Sequence, residues 1–267
     1  TQARYVALAN GERVNFDVVS FNIGSTLARP QQHGENLPKL LAMRPLSSLH
    51  QRWQVVKNEL SHLPSGGVQR VLGVGGGAAG CETLMSVLTQ LRKQRPDIDW
   101  EGHLLTAADA LLPEAGRLPR WLTRRALSKA GITVHVEQRG ETLVEGGVTT
   151  QDGTRIDADI VLWATGAIGH SWLANTSLPL DKHNFIQVEN TLEVTGQPTI
   201  FAAGDCAALT PALPNAGIYA VRMGPHLADN LRRACHNEPL LPWQPPERVL
   251  ALIGTGDGHA IASRGAI

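Results

Sequence analysis

The sequence is poor in cysteine: it has three cysteines in 267 residues, and none of them forms a Cys-x-x-Cys pair. Cys81, Cys206 and Cys235 also have no histidine at the spacing of a metal ligand. This pattern argues against a zinc site and against a redox dithiol formed by neighbouring residues. Isolated cysteines are typical of a reducing compartment, so we expect a cytoplasmic location and no bound metal.

An excess of charge of one sign is also missing, because 24 Lys and Arg balance 24 Asp and Glu. No overall field therefore attracts the chain to nucleic acid or to an anionic membrane. Binding to either would need a local patch, and we expect neither partner for this piece. The sequence has no run of about 18 apolar residues, the length that spans a bilayer. The densest basic run, "RWLTRR" (120–125), predicts the solvated face of a helix.

The first part of the chain predicts strands followed by a helix. "RYVALANGERVNFDVVSFNIGS" (4–25) alternates apolar and polar residues around Asn10-Gly11. This predicts a hairpin with positive φ at both central residues. "RPLSSLHQRWQVVKNELSHL" (44–63) then carries leucines, valine and tryptophan at spacings of three and four, which predicts a helix that "PSGG" ends.

A glycine-rich turn lies between a predicted strand and a predicted helix in "VQRVLGVGGGAAGCETLMSVLTQLRKQ" (68–94). Gly75, Gly77 and Gly80 fit the pattern G-x-G-x-x-G. In a Rossmann turn the first glycine allows the tight turn, the second lets a pyrophosphate approach, and the third lets the helix pack on the strand. We therefore predict that the phosphates of a dinucleotide bind at this helix N-terminus. A merely flexible glycine turn is the alternative.

The second strand of the unit should be "WEGHLLTAA" (100–108), followed by a helix in 118–131 and a strand in 132–136. An acidic residue that binds the ribose of NAD usually ends this second strand. Here Ala107 takes that place and Asp109 comes two residues later, where it either reaches the ribose or caps the next element. No arginine stands near this position to recognise a 2′-phosphate, which slightly disfavours NADP, but the choice between NAD and NADP stays open.

Three motifs in one order carry a resemblance to a known family: "VLGVGGGAAGCE", "ADIVLWATGA" and "TIFAAGDCAAL". Together they resemble the flavoproteins with two dinucleotide-binding domains in the pyridine nucleotide-disulfide oxidoreductase superfamily, type II NADH dehydrogenases in particular. More narrowly, "LPNAGIYAVRMGPHLADNLRRA" (213–234) and "ERVLALIGTGDGHAIASRGAI" (247–267) are similar to the flavoprotein module fused to selenophosphate synthetase (selenide, water dikinase).

The resemblance implies an α/β fold with two Rossmann-like dinucleotide-binding domains, of which the FAD domain is incomplete and the NAD domain is inserted. It implies four segments: the end of the first FAD-domain segment in 1–45, the NAD(P) domain in 46–165, the second FAD-domain segment in 166–240, and the start of a C-terminal region in 241–267. The loop for the FAD phosphates is expected upstream of Thr1, so we interpret the chain as a piece of a larger flavoprotein.

Site residues are implied by the same resemblance. Asp205 is implied to bind the ribityl hydroxyls of FAD, next to Gly204, and Ala216 and Gly217 begin a helix that faces the flavin ring. Gly166 is implied at the crossing between domains. Glu82 is implied near the nicotinamide, although the helix dipole alone would also favour an acid in a first turn. The complete set expected to bind cofactors is Gly75, Gly76, Gly77, Ala78, Ala79, Gly80, Glu82, Gly166, Gly204, Asp205, Ala216 and Gly217.

The function implied is that of an FAD-dependent NAD(P)H oxidoreductase, in which hydride passes from the nicotinamide to flavin N5 and electrons then reach an unidentified small molecule. No catalytic acid or base is assigned, and the piece alone is expected to be inactive. The missing cysteine pair argues against a disulfide relay, and Cys206 is expected to be a buried filler. One alternative is a weakly active or non-catalytic nicotinamide-binding module attached to a fused selenophosphate synthetase. A dehydrogenase with one Rossmann domain and no flavin is another, but it leaves "ATG" and "FAAGD" without a role.

Overall fold

The computed structural model describes residues 4–246 and 248–264, and it is an α/β structure. The strands are β1 Tyr5–Ala7, β2 Arg13–Asn15, β3 Val19–Phe21, β4 Thr26–Leu27, β5 Gln31–Gln32, β6 Lys39–Ala42, β7 Val68–Val74, β8 Asp99–Leu105, β9 Ile132–His135, β10 Gly140–Val144, β11 Gly147–Thr150, β12 Arg155–Asp157, β13 Ile160–Trp163, β14 Ala167–Ile168, β15 Ile186–Gln187, β16 Ile200–Ala202, β17 Ala207–Ala208, β18 Leu250–Gly254 and β19 Ala260–Arg264. The α-helices are α1 Leu49–Ser61, α2 Ala78–Gln94, α3 Arg117–Lys129 and α4 Gly217–Cys235. Short 3-10 helices lie at Leu46–Ser48, Ser171–Asn175 and Gly204–Cys206.

The chain forms two compact units. The first contains the chain up to Thr26 and Ala167–Pro246, and the second contains Leu27–Gly166 and the described chain from Arg248 on. The first division thus lies after Thr26, whereas the sequence placed a domain boundary after residue 45. The reason is that β6 pairs in parallel with β13, which puts it in the sheet of the second unit. The assignment of the units to FAD and NAD(P) stays a prediction at this level.

A parallel sheet of five strands forms the centre of the second unit, in the order β6-β13-β7-β8-β9. Helix α2 connects β7 to β8, and α3 connects β8 to β9, so these elements make two consecutive βαβ crossovers. All four residues of β13 are buried, as are the last four of β7. Continuous apolar runs of this kind are typical of strands covered on both faces.

Helix α2 covers one face of this sheet. Leu84, Leu88 and Leu91 recur at spacings of four and three on α2, and all three are buried in one cluster with Leu104 and Ile160 of the sheet. A second cluster on the other face joins β7, β8 and β13 to the strands β10, β11 and β12. The sheet is therefore fixed between two apolar layers, and its strand ends can hold a site rigidly.

The order of strands creates a switch point between β7 and β13. From β7 the chain continues outward through β8 to β9, while β13 and β6 lie on the opposite side of β7. In open sheets of this type, ligands bind at the carboxyl ends of the strands where the direction reverses. Residues that come directly after Val74 and Trp163 are consequently placed at this crevice.

The hairpin predicted around Asn10-Gly11 is present between β1 and β2, but its turn differs from the expected one. The Leu8 N–H donates to the Glu12 carbonyl oxygen at 2.8 Å, which closes a loop longer than two residues. Gly11 alone has the positive φ, at 84°. The longer loop moves Asn10 out of the central position that would require a left-handed backbone.

The first unit joins β16 to β3 in parallel and packs α4 against them. Its apolar centre contains Phe201, Met223, Leu227 and Trp243. Asn230 of α4 is fully buried among them. Its Nδ2 donates to the carbonyl oxygens of Thr191 and Leu241, both at 2.8 Å, and its Oδ1 accepts from the Leu241 N–H at 2.9 Å. One side chain thus ties α4 to two other segments.

Among the described residues, no helix has the length and apolar content to cross a bilayer.

We expect Asn230→Ala to lower the free energy of unfolding by about 2–4 kcal/mol, because it leaves buried backbone groups without partners. The measurement is urea unfolding followed by circular dichroism. Arg232→Ala is the control: it removes only ion pairs of a half-exposed side chain on the same helix, and it should cost below about 1 kcal/mol. Equal losses in the two variants would contradict the importance given to Asn230.

Candidate dinucleotide-binding sites

Gly75 stands at the switch point, directly after β7, with φ of 124°. A Cβ at this position would lie 2.2 Å from the carbonyl oxygen of Ala164, which comes directly after β13. The Ala164 N–H donates to the Val74 carbonyl oxygen at 2.9 Å, so the two strand ends are held together at this point. Both the backbone angle and the contact therefore require glycine.

Gly80 lets α2 lie directly on this turn. A Cβ at Gly80 would lie 1.9 Å from the Gly75 carbonyl oxygen, which no side chain could tolerate. Gly76 is also restricted, because its Cβ would lie 2.6 Å from the Cβ and the Oγ1 of Thr106. The G-x-G-x-x-G pattern does not require glycine at this position, whereas the structure shows that Gly76 packs against the residue directly after β8. Its expected contact with a cofactor stays a prediction.

Gly77 differs from its neighbours because the space beside it is open. It caps α2 with φ of −74° and ψ of 176°, it makes no side-chain cap hydrogen bond, and a Cβ there would meet no described atom within 4 Å. Ala78 and Ala79 begin the helix. Backbone N–H groups in a first helical turn have no partner inside the helix. The turn thus offers free donors and open space where a phosphate can approach.

Thr165 lies beside this turn and carries an unsatisfied hydroxyl. It comes after Ala164, and its Oγ1 is buried without a hydrogen-bond partner among the residues that the structure describes. Buried polar atoms of this kind are few in folded proteins, so each needs an explanation. A ligand in the crevice would supply the missing partner. Sequence reasoning named only the next residue, Gly166, which ends this unit and has open space beside it.

The sequence argument about the helix dipole assumed that Glu82 lies in the first turn of α2, but the structure places it later in the helix. Because α2 begins at Ala78, Glu82 is its fifth residue, and the first turn contains no acid. Its carboxylate instead lies beside β18: a Cβ at Gly254 would be 2.9 Å from Glu82 Oε1. The dipole explanation is therefore wrong for this residue, and a contact with the nicotinamide stays a prediction.

Asp109 lies exposed in the connection between β8 and α3. Gly116 is the residue that caps α3, so Asp109 does not cap that helix. Its other predicted role, with the ribose, is still a prediction. Arg120 is bound to this connection: its Nε donates to the Leu112 carbonyl oxygen at 3.0 Å, and its Nη2 donates to that of Pro113. It is thus engaged with backbone and not displayed to a 2′-phosphate.

The first unit holds the second set of predicted residues. Gly204 lies just after β16 with φ of 72°, and its N–H donates to the Met223 sulfur at 3.2 Å. Asp205 comes next in a 3-10 helix, and its carbonyl oxygen accepts from Asn215 Nδ2 at 3.4 Å. These contacts place the Gly-Asp pair against α4 and against the segment that precedes it.

The N-terminus of helix α4, at Gly217, lies next to the Gly204-Asp205 pair. Ala216 caps it with extended backbone angles and without a side-chain cap, and a Cβ at Gly217 would meet no described atom within 4 Å. A cavity of about 720 Å³ is lined by Gly204, Asp205 and Ala216, and also by Asn215 and Tyr219. Its volume is that of a small-molecule or cofactor site. Sequence reasoning missed Tyr219, which the helical spacing from the cap residue could have identified.

The cysteines match no redox relay. Burial raises the pKa of the Cys81 thiol to about 12, and burial also raises the pKa of Cys206. The Cys206 Sγ lies 3.3 Å from the carbonyl oxygens of Phe21 and Ala203. Both thiols therefore stay protonated at neutral pH, while Cys235 is exposed. Cys206 is the buried filler that the sequence predicted.

Comparison with known proteins agrees with this geometry. The family profile described as pyridine nucleotide-disulphide oxidoreductase matches residues 1–230. The chain belongs to this family. Pyridine nucleotide-disulphide oxidoreductases use FAD and NAD(P)H, and the resemblance drawn from the three motifs is confirmed at this level, as is the Rossmann-like fold.

The individual relatives share only about a quarter of their residues with this chain. The chain is 28% identical over 269 residues to the demethylphylloquinone reductase of Synechocystis, covering 95% of this chain and 63% of that protein. It is 28% identical over 186 residues to the type II NADH:quinone oxidoreductase of Haemophilus influenzae, covering 62% of this chain and 40% of that protein. An FAD-dependent pyridine nucleotide-disulphide oxidoreductase from Desulfovibrio vulgaris superposes with a TM-score of 0.63 at 25% identity, covering 92% and 60% of the two chains. The chain thus spans less than two thirds of each of these proteins.

Two glycines of the turn should respond differently to alanine. Gly75→Ala should lower the free energy of unfolding by about 1–3 kcal/mol or more. The reasons are the positive φ at this position and the clash of an added Cβ with the Ala164 carbonyl oxygen. Gly77→Ala should change it by less than about 0.5 kcal/mol, because its angles suit any residue and its surroundings are open. Urea unfolding of both variants measures this difference. If Gly77→Ala proved the more destabilising, the described turn would be wrong.

The thiols give a second test. At pH 8 a thiol reagent such as DTNB should label one cysteine per native chain rapidly, since Cys235 is exposed and the other two are buried with raised pKa values. In denaturant, all three cysteines of the sequence should react. Cys235→Ser should remove the rapid phase. Rapid labelling of Cys206 in the native protein would show that its surroundings are open.

Proposed function

We propose that this chain supplies the pyridine-nucleotide-binding part, and the second part of the FAD-binding region, of an FAD-dependent NAD(P)H oxidoreductase. The observation that carries the proposal is the open N-terminus of α2 at Gly77, placed at the switch point of a parallel sheet. The family supports it, because its members use both cofactors. The FAD assignment is further supported by the cavity that Asp205 lines.

Residues of the second unit fit the dinucleotide. The backbone N–H groups of Ala78 and Ala79 would donate to the pyrophosphate, and the open side of Gly77 would let it come close. The Thr165 hydroxyl would bond a polar group of the ligand, which satisfies its buried oxygen. None of these residues exchanges a proton. Their part in catalysis would be to fix the position of the nicotinamide.

Residues of the first unit fit part of a flavin. The Asp205 carboxylate would accept hydrogen bonds from sugar hydroxyls, and the N-terminus of α4 would stabilise negative charge on a ring placed near Ala216. FAD, when bound, would accept a hydride from NAD(P)H and pass two electrons to the final acceptor. The chain itself would bind, orient and exclude water.

A quinone is the acceptor that we propose. Both curated relatives reported above are quinone reductases by name. The cysteines also favour a diffusible acceptor. A protein dithiol that accepts electrons needs reactive thiolates, whereas burial raises the pKa values of Cys81 and Cys206 and keeps both thiols protonated. The acceptor would then be a bound small molecule and not a protein dithiol.

Two finer expectations stay predictions. The resemblance to the module fused to selenophosphate synthetase depends on α4 and on residues 247–267, of which 247 and 265–267 lie outside the described residues. None of the relatives reported above is such a fusion, and we do not favour the binding-module alternative. The cytoplasmic location predicted from the isolated cysteines is the other.

Binding of NADH to this chain tests the proposal. Gly77→Ala should weaken binding by about tenfold or more, because the methyl group occupies the approach of the pyrophosphate, a loss of about 1.4 kcal/mol. Isothermal titration calorimetry measures the dissociation constant, and the unfolding midpoint should stay unchanged.

Gly224→Ala is the matched control, since it adds a methyl group at an equally open position on α4. It should leave the dissociation constant within about twofold, below 0.5 kcal/mol. If Gly77→Ala bound NADH as tightly as the unchanged chain, the turn would not hold the pyrophosphate, and the proposed function would lose the observation that carries it.

A further inference from the structure

Helix α3 presents large apolar side chains to solvent. Leu118 is 59% exposed and Trp121 is 55% exposed, and they lie one helical turn apart. The opposite side of α3 packs inward through Pro119, Thr123 and Leu127, all buried. Leu118 and Trp121 thus stay largely accessible, while the opposite side of α3 supplies its buried packing.

The C-terminal hairpin of the described chain continues this pattern. In β18, Leu250 is 57% exposed and Leu252 is 61% exposed. They pair with Arg264 and Ala262 of β19 on the outward face, while Ile253 is buried on the inward face. A single hairpin thus covers its unit with one face and displays leucines on the other.

The helix and the hairpin form one continuous surface. A groove of about 420 Å³ between them is lined by Leu118, Leu250 and Arg264, and by Pro119, Arg248 and Ala262. At the other end of α3, Lys129 Nζ lies 3.8 Å from Asp257 in the hairpin turn. We call this surface the apolar-basic face; its members are Arg117, Leu118, Trp121, Arg124, Arg125, Arg248, Leu250, Leu252 and Arg264.

The charge of this face has one sign. Helix α3 contains five basic residues and no acid, although the whole chain has no net charge. Arg117, Arg124, Arg125, Arg248 and Arg264 are all exposed, and within residues 4–246 and 248–264 none of them forms an ion pair with a carboxylate. The Arg125 guanidinium lies 5.5 Å from the centre of the Trp121 ring. Among the described residues, Glu114 lies exposed before α3, and Asp257 lies near Lys129.

We propose that the apolar-basic face docks the chain onto an anionic lipid surface. Exposed tryptophan and leucine side chains enter the boundary between headgroups and acyl chains, and arginines beside them bind lipid phosphates. Each such cation contributes about tenfold or less to the binding constant at an anionic surface. The two signals together meet the usual requirement for stable peripheral binding.

This proposal does not depend on the proposed enzymatic function, and it differs from the sequence-based expectation. Net charge argued against membrane contact, and "RWLTRR" predicted a solvated helix face. In the structure, Leu118 and Pro119, which directly precede that run on α3, line one groove with Arg248, Leu250 and Arg264. Membrane contact therefore depends on the local charge and apolar area of this surface, and not on the net charge of the chain.

Sedimentation with lipid vesicles tests the docking surface, using the chain as it is. Vesicles of phosphatidylcholine with about 30% phosphatidylglycerol should sediment the chain at low salt, pure phosphatidylcholine should not, and about 0.5 M salt should release it. Arg124→Ser combined with Arg125→Ser should weaken binding by about tenfold or more. Trp121→Ser combined with Leu252→Ser should also weaken binding by about tenfold or more.

Matched controls keep the test specific. Arg29→Ser with Lys93→Ser removes two exposed cations, and Trp172→Ser removes a tryptophan that is 46% exposed, all outside the apolar-basic face. These controls should bind within about twofold of the unchanged chain. Circular dichroism of every variant should match that of the unchanged chain, which separates a loss of docking from a loss of folding.

Three results would overturn the proposal. The first is no binding to anionic vesicles at low salt, or equal binding by the face variants and the unchanged chain. The second is a dimer in light scattering that Leu252→Ser dissolves, which would make the face a contact between two copies. The third is that the chain binds polyglutamate but not vesicles, and that Arg124→Ser combined with Arg125→Ser abolishes the binding of polyglutamate. This result would indicate an acidic protein partner.

Discussion

The close approach of two strand ends is the constraint on which the nucleotide unit depends. The hydrogen bond from the Ala164 N–H to the Val74 carbonyl oxygen brings β13 against β7, and Gly75 then has no room for a side chain. The Gly75 carbonyl oxygen in turn leaves no room for a side chain at Gly80, so α2 starts directly above the crevice. One contact between backbones thus sets the position of the helix N-terminus, and the helix N-terminus defines the anion site.

Sequence reasoning found the parts of the sites that depend on local geometry. A tight turn, a close helix and a phosphate approach each require glycine at a fixed spacing, so the motif from Gly75 to Gly80 was readable without a structure. Asp205 was identified by the resemblance of its motif to a known family and not by geometry, and its contact with a flavin stays a prediction. Thr165 was not identified, because only the burial of its hydroxyl without a partner distinguishes it from any threonine at a strand end.

Contacts between distant segments account for the differences. Helix α2 begins at Ala78, and a hairpin more than 150 residues later packs beside Glu82, so no local pattern could have shown that its carboxylate lies next to Gly254. The boundary after Thr26 depends likewise on the pairing of β6 with β13, which lie more than 110 residues apart. Amphipathic spacing predicts that an element exists and which side is apolar, but not which later segment covers that side.

The same limitation applies to charge. A balanced total predicts nothing about a surface, because folding can collect basic residues from α3 and β19 while the acids that balance them lie elsewhere. The apolar side chains of that surface also escape notice in the sequence, since scattered leucines are normal on any protein. Their significance comes from continuity: Leu118 and Leu250 line one groove with Arg248 and Arg264. Apolar area beside arginines that form no ion pair within the described ranges is a property that only the folded arrangement has. It complements a surface that is itself apolar beneath a layer of negative charge.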